Sequence, residues 1–173
     1  YPEYLDCNPI ERYFGRKMLF NGIVLAQAII TALGCMFYVG MQSVNPLLLI
    51  LACCICSLNF MAMNYALVYS LDNVGMAAAV IIMVIQVAGS GGSYPVHVLP
   101  EFFQKLYNFM PFHYGMDMIR ETIGGFYGHT YLRCAAILLL MCVGFAIFGL
   151  LVYYPAKPIN KLIAESKEKS GIM

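Results

Sequence analysis

The sequence predicts an all-α, polytopic membrane helical bundle: four transmembrane helices with an outer re-entrant, amphipathic helical hairpin between the last two. Three observations carry that reading. Hydrophobic residues make up 61% of the 173 and charged residues only 11%, which is more apolar surface than a soluble domain of this size hides. No Lys, Arg, Asp or Glu occurs between Met18 and Leu71, as a bilayer demands of paired spanning helices. The stretch Gln86 to Gly125 is unlike a simple anchor, because an apolar run leaves through Gly89-Ser90-Gly91-Gly92-Ser93-Tyr94-Pro95 into two short amphipathic segments parted by Pro111.

Four apolar runs approach the roughly 20 residues that cross about 30 Å of hydrocarbon, at 18–39, 46–69, 74–94 and 132–154. Leu71-Asp72-Asn73 joins the second to the third in barely a turn, which predicts an antiparallel helix pair. Seven of the ten basic residues flank the spans at the two ends: Arg12, Arg16, Lys17, Lys157, Lys161, Lys167 and Lys169. The positive-inside rule makes both ends cytoplasmic. Gly40 to Asn45 and the 95–131 hairpin then lie outside, where Lys105, Arg120 and Arg133 are accompanied by Glu101, Asp117 and Glu121.

The organisation that follows is a cytoplasmic interfacial segment at 1–17, a transmembrane domain at 18–155 and a cytoplasmic basic tail at 156–173. Asn8 to Phe20 reads as a short interfacial helix started by Pro9, whose Arg12, Tyr13, Phe14, Arg16 and Lys17 offer a surface to a cytoplasmic partner. The chain opens on Tyr1 and shows no signal-peptide pattern, so it reads as part of a longer protein. A net charge of +1 gives no reason to expect nucleic acid.

In the hairpin, Phe102, Phe103, Leu106, Tyr107 and Met110 recur at helical spacing after Pro100, opposite Glu101, Gln104, Lys105 and Asn108. Pro111 is expected to end that helix. A second runs from Tyr114 to Ile123, with Met116, Ile119 and Ile123 on one side and Asp117, Arg120 and Glu121 on the other, until Gly124-Gly125 stops it. Asp117 and Arg120 are spaced to pair, and Arg120 also has Glu101 and Glu121 within its expected reach.

Several chemistries are excluded or disfavoured. There is no Gly-x-x-x-x-Gly-Lys-Ser/Thr phosphate loop, so any ATP-driven work needs a separate ATPase. Ser90 and Ser93 lack a nucleophile elbow and a histidine on a facing span, which argues against an intramembrane protease. His97, His113 and His129 are 16 apart, not at the i, i+4 spacing of ligands on one helix. Seven cysteines, Cys53, Cys54 and Cys56 among them, suit buried small hydrophobes. No metal, cofactor or catalytic residue is expected, and the protein does not read as an enzyme.

Polar residues within the spans remain. Gln27, Thr31, Asn59, Asn64 and Gln86 either bond between helices or line a path for an amphipathic substrate. Met and Phe in number, 12 and 11, suit such a lining and suit lipid contact equally.

These residues carry a resemblance. Leu99-Pro100 with Phe102-Phe103, then Phe109-Met110-Pro111-Phe112-His113-Tyr114 and Met118-Ile119-Arg120-Glu121, resemble the outer hairpin of type-2 ABC exporter permeases. Ala88 to Pro95 followed by Leu99-Pro100 resembles the C-terminal membrane region of the phage-infection-protein (YhgE/Pip) family. The likeness implies a permease-like domain comprising the last four of six spans, with the N-terminal segment in the place of a coupling helix and a homodimer working with a cytoplasmic ATPase. Gly89, Gly91, Gly92, Pro95, Pro100, Pro111, Asp117, Arg120 and Glu121 would form its outer gate. The implied function is export of an amphipathic or lipid-like substrate across the cell membrane. The alternative is a membrane anchor or assembly platform for an extracellular domain, as in a phage receptor or a secretion-system component.

Overall fold

The computed structural model describes the backbone at residues 9–92, 96–125 and 128–170. Within these the chain is helical, with no strand. Helix α1 spans Pro9–Phe37, α2 Pro46–Gly89, α3 Glu101–Leu106, α4 Pro111–Gly124 and α5 Thr130–Ser170. Among the described residues, three stretches are long and apolar enough to cross a membrane: Tyr13–Phe37, Pro46–Gly89 and Thr130–Tyr153.

Helix α2 is longer than one crossing needs. Its 44 residues would reach about 66 Å if straight, twice the hydrocarbon thickness. It is not straight. Asp72 leaves helical geometry at φ 50°, ψ −123°, and Gln86 Nε2 donates to Met63 Sδ at 3.2 Å across 23 residues of sequence. Helix α2 therefore folds back into two antiparallel limbs at the Leu71-Asp72-Asn73 turn. A Cβ on Gly75 would collide with the Leu67 carbonyl oxygen, so the turn needs glycine there for close approach.

Side-chain bonds fix α5 beside the first limb of α2. Tyr131 Oη donates to Leu48 O at 2.9 Å, Asn59 Nδ2 to Leu138 O at 2.6 Å and Ser70 Oγ to Gly149 O at 3.1 Å. Partners advance together along both helices, so the two run parallel. Helix α1 runs opposite to them, with Tyr13 packed on Tyr65 and Tyr69 at ring separations of 5.0 and 4.8 Å. Tyr153 stacks on Tyr69 at 4.7 Å. Tyr13, Tyr65, Tyr69 and Tyr153 thus gather at the end where α2 turns, and the α1–α2 connection lies at the other end. There Val44 N donates to Thr122 O of α4 at 3.0 Å.

The structure refines or corrects several sequence expectations. The interfacial helix and the first span are one 29-residue helix, because after Pro9 the sequence offers no proline to interrupt it. The helix of the third apolar run ends at Gly89, with Ser90 as its cap; Ser93 to Pro95, in the glycine-rich exit that extends the run, lie outside the described residues. Pro111 opens α4 instead of closing α3, which has already tightened into a 3-10 turn at Tyr107–Phe109. Proline pushes the residue before it out of the helical region, and Met110 is extended at φ −85°, ψ 119°.

A further correction concerns the faces of α4. Pro111, His113, Gly115, Met118, Glu121 and Thr122 are its buried residues, so Glu121 points inward and Ile123, 38% exposed, outward. The helix does not lie on the bundle; it packs into it. Met118 joins Ala52 of α2 and Tyr131, Cys134, Ala135 and Leu138 of α5 in one core cluster. Gly115 makes that depth available, since a Cβ there would meet Cys56 Sγ at 2.7 Å.

Candidate functional site: a groove between the first two helices

A groove of about 1060 Å³ opens between α1 and α2. Gln27 and Thr31 line it from α1, and Asn64 with Phe60 and Cys56 lines it from the first limb of α2. Met83 closes it from the second limb and Ile119 from α4. Arg16, Asp72, Tyr65, Tyr69 and Tyr153 stand at its tyrosine end. The wall is thus mostly apolar with a few fixed polar groups and charge at one end, the make-up of a site for an amphipathic molecule.

Three of the five polar span residues, Gln27, Thr31 and Asn64, meet in this groove. Thr31 Oγ1 is already committed to Gln27 O at 2.8 Å, which leaves Gln27 and Asn64 as its adaptable polar groups. Asn59 and Gln86 do not join them. Asn59 is fully buried against Leu138, and Gln86 is turned to Met63. Both are interhelical contacts.

At the opposite end the glycines and prolines read from sequence join the hairpin to α2. A Cβ on Gly89 would meet Phe103 Cδ1 at 2.8 Å and Met110 Cε at 3.0 Å. Gly91 takes φ 71°, and its carbonyl accepts from Arg120 Nη2 at 3.3 Å. Gly92 packs near Met116. Pro100 caps α3, its carbonyl accepting from Phe103 N at 2.9 Å. Arg120 pairs with Asp117 at 3.4 Å, both well exposed, so the pair adds little stability. Glu121 instead accepts from Tyr131 N at 2.9 Å. Pro95 lies outside the described residues.

Between α3 and α4, His113 is buried, with its ring 4.0 Å from that of Tyr107 and 3.7 Å from that of Tyr114. Its Nδ1 lies 2.8 Å from Met110 O, and a carbonyl only accepts, so that nitrogen carries the proton. Burial lowers its pKa below the usual imidazole value, against the smaller opposing pull of the Met110 carbonyl and Asp117. Among the described residues no group of three or more His, Cys, Asp or Glu is placed to hold a metal.

The N-terminal surface is narrower than its sequence suggests. Tyr13 is 0% exposed and Lys17 8%, the latter with its Nζ 5.9 Å from the Tyr13 ring centroid. Helical spacing turns both toward α2, so Phe14 and Arg16 are the exposed members of the set; the Arg12 side chain lies outside the described residues. Sequence reasoning passed over the tyrosine cluster and Asp72. The signal was Tyr65 and Tyr69, four apart at the end of an apolar run, where amphipathic rings favour a membrane interface.

Residues 8–123 match the family model described as "ABC-2 type transporter". The chain is also similar to a protein named "Uncharacterized protein YhgE" from Bacillus subtilis (strain 168), 28% identical over 125 residues. That match covers 72% of this chain and 16% of the relative, so the chain spans a small part of the relative's length. No solved structure matches. With two thirds of its residues under the family model, and with apolar helices long enough to cross a bilayer, the chain belongs to the ABC-2 type transporter family, as a YhgE-like, multi-pass membrane permease domain.

Proposed function

We propose that this domain carries an amphipathic or lipid-like substrate along the α1–α2 groove, working by alternating access as a homodimer with a separate cytoplasmic ATPase. The groove itself is the observation that carries this reading. It is large, mostly apolar, furnished with Gln27 and Asn64 at mid-length, and ends at Arg16 and Asp72. Apolar walls suit an acyl or aromatic body, and the charged end suits a headgroup.

In this reading α1, the two limbs of α2 and the 130–153 part of α5 make four crossings of the cell membrane, both chain ends cytoplasmic. The gathering of Tyr13, Tyr65, Tyr69 and Tyr153 at one end is compatible with it, and the basic bias of the two ends supports it. The N-terminal stretch of α1, with Phe14 and Arg16 exposed, serves as the contact for the ATPase. Helix α4, with Asp117, Arg120 and the Gly89 to Gly92 exit, serves as the outer gate.

The test is substrate flux by the full-length protein in liposomes with its ATPase. ATP-dependent movement of a fluorescent lipid analogue, lowered at least tenfold by Gln27→Leu with Asn64→Leu, is expected. No flux from a folded, ATPase-bound protein would overturn the reading.

A second reading, a platform for an extracellular domain, draws on the small share of the YhgE relative that this chain covers. Arg120→Ala separates the two. It impairs flux in the first case, and in the second leaves surface display of the attached region unchanged.

A further inference from the structure

A second cavity of about 640 Å³ shares no lining residue with the groove. It lies between the two limbs of α2 and α5, and the hairpin roofs it with Leu106, Phe109 and Pro111. Along α5 it reaches from Leu140 to Phe148, about 12 Å at the helical rise. Its volume falls within the usual range for small-molecule sites, about 300–1,000 Å³. Glycine at position 89 lets the roof close onto α2, since a side chain there would strike Phe103 and Met110.

One lining residue is polar in a way the apolar walls do not explain. Gln86 is 3% exposed, and its Nε2 reaches Met63 Sδ at 3.2 Å, a weak acceptor. Its Oε1 is buried and receives no hydrogen bond among the described residues. Turning the amide over sets the oxygen against the acceptor-only sulfur and matches neither atom. A buried carbonyl oxygen without a donor favours an occupant that supplies one. The rest of the wall, from Ile82 and Ile85 to Phe145, asks for hydrocarbon.

We infer that this cavity binds a single-chain amphiphile of the monoacylglycerol kind, its alkyl chain lying along α5 and its hydroxyl donating to Gln86 Oε1 once a side-chain rotation turns that buried atom to the cavity. The glycerol hydroxyl sits beside the roofing segment, where Gln86 stands one turn before the helix end at Gly89. The chain extends toward Phe148. The inference is independent of the groove and does not require that the protein transport anything.

The chain contains no tryptophan, so one introduced indole reports one place. In detergent-purified Phe148→Trp protein, quenching is measured with two dibrominated stearoyl probes, the glycerol monoester and the methyl ester. They share a chain, and only the first has a donor. Half-quenching is expected at about tenfold lower concentration of the glycerol ester, the size of one hydrogen bond to a buried acceptor. Gln86→Leu in the same background is expected to bring the two curves together while quenching by the methyl ester persists. Ile81→Trp, on an exposed face outside the cavity, reports ordinary detergent-phase contact and should distinguish neither probe. Equal quenching by both probes with Gln86 in place overturns the inference, as does a preference of the same size at Ile81→Trp. Should Gln86→Leu fail to fold, the ratio measured with Gln86 in place decides alone.

Discussion

Glu121 Oε2 accepts the backbone N–H of Tyr131 at 2.9 Å, so the last turn of α4 caps the first turn of α5. A carboxylate at a helix N-terminus takes up one of its free donors and meets the positive end of the helix dipole. Because Tyr131 Oη in turn reaches Leu48 O, this carboxylate helps to hold three elements together. Glu121→Leu should lower stability by about 1–3 kcal/mol, the cost of an unmet buried donor. Glu121→Gln keeps an acceptor and should lose less. Thermal unfolding in detergent, with both variants side by side, measures the difference.

Gly115 and Cys56 form a second such contact, steric in nature. Gly115→Ala brings its new methyl against Cys56 Sγ, and overpacking of this kind costs about 1–3 kcal/mol. Cys56→Ala removes the sulfur and should restore most of that loss in the double variant. If the two losses simply add, α4 does not sit against α2 as described.

Asn59 and Asn64, five residues apart on one helix, should behave differently. Asn59→Leu removes a hydrogen bond between helices, worth about 0.6 kcal/mol in comparable membrane proteins, and should lower the melting temperature slightly. Asn64→Leu in the groove wall should leave stability within about 0.5 kcal/mol and show its effect in flux. A variant pair with the two phenotypes exchanged would remove Asn64 from the proposed path.

His113 gives the fold a dependence on pH. Its folded pKa is lowered by burial, so the unfolded chain binds the proton first as pH falls below about 6.5. Stability from the neutral ring is therefore complete above that value and is lost as pH falls through the lowered folded value. Melting temperatures between pH 7 and pH 5 should fall for the native protein. His113→Phe, which keeps a ring between Tyr107 and Tyr114, should flatten that part of the profile while lowering stability at pH 7 through the unmet Met110 carbonyl.

The helices and their spacing were legible in the sequence, since a charge-free run, proline at helix starts and a polar turn are local signals. Pro46 and Pro9 begin helices, Gly124 ends one, and the chain reverses at Asp72. The orientation of α4 was not legible. Its inward positions 111, 115, 118 and 122 follow helical period, but they include proline, glycine and threonine, which score as neutral on a hydropathy reading. Small residues at that spacing mark close helix packing in membranes, and that was the signal to weigh above Ile123. The burial of Glu121 depended on the position of Tyr131, ten residues on, which no local pattern encodes. Gln27, Thr31 and Asn64 were found as polar residues in apolar runs. That these three converge while Asn59 and Gln86 face elsewhere follows from which side of each α2 limb meets α1 and which meets α5 or the other limb, a tertiary property.

The turn at Asp72 also sets which changes the chain tolerates. Its two limbs meet only because residue 75 is glycine and because residues 63 and 86 arrive at the same level. One residue inserted there would rotate the second limb by about 100°, taking Gln86 from Met63 and Met83 from the groove wall in a single step. Substitutions at the turn are graded in their effect. Changes in its length are all-or-none, so over evolutionary time this loop is expected to vary in residue type and to stay fixed in number.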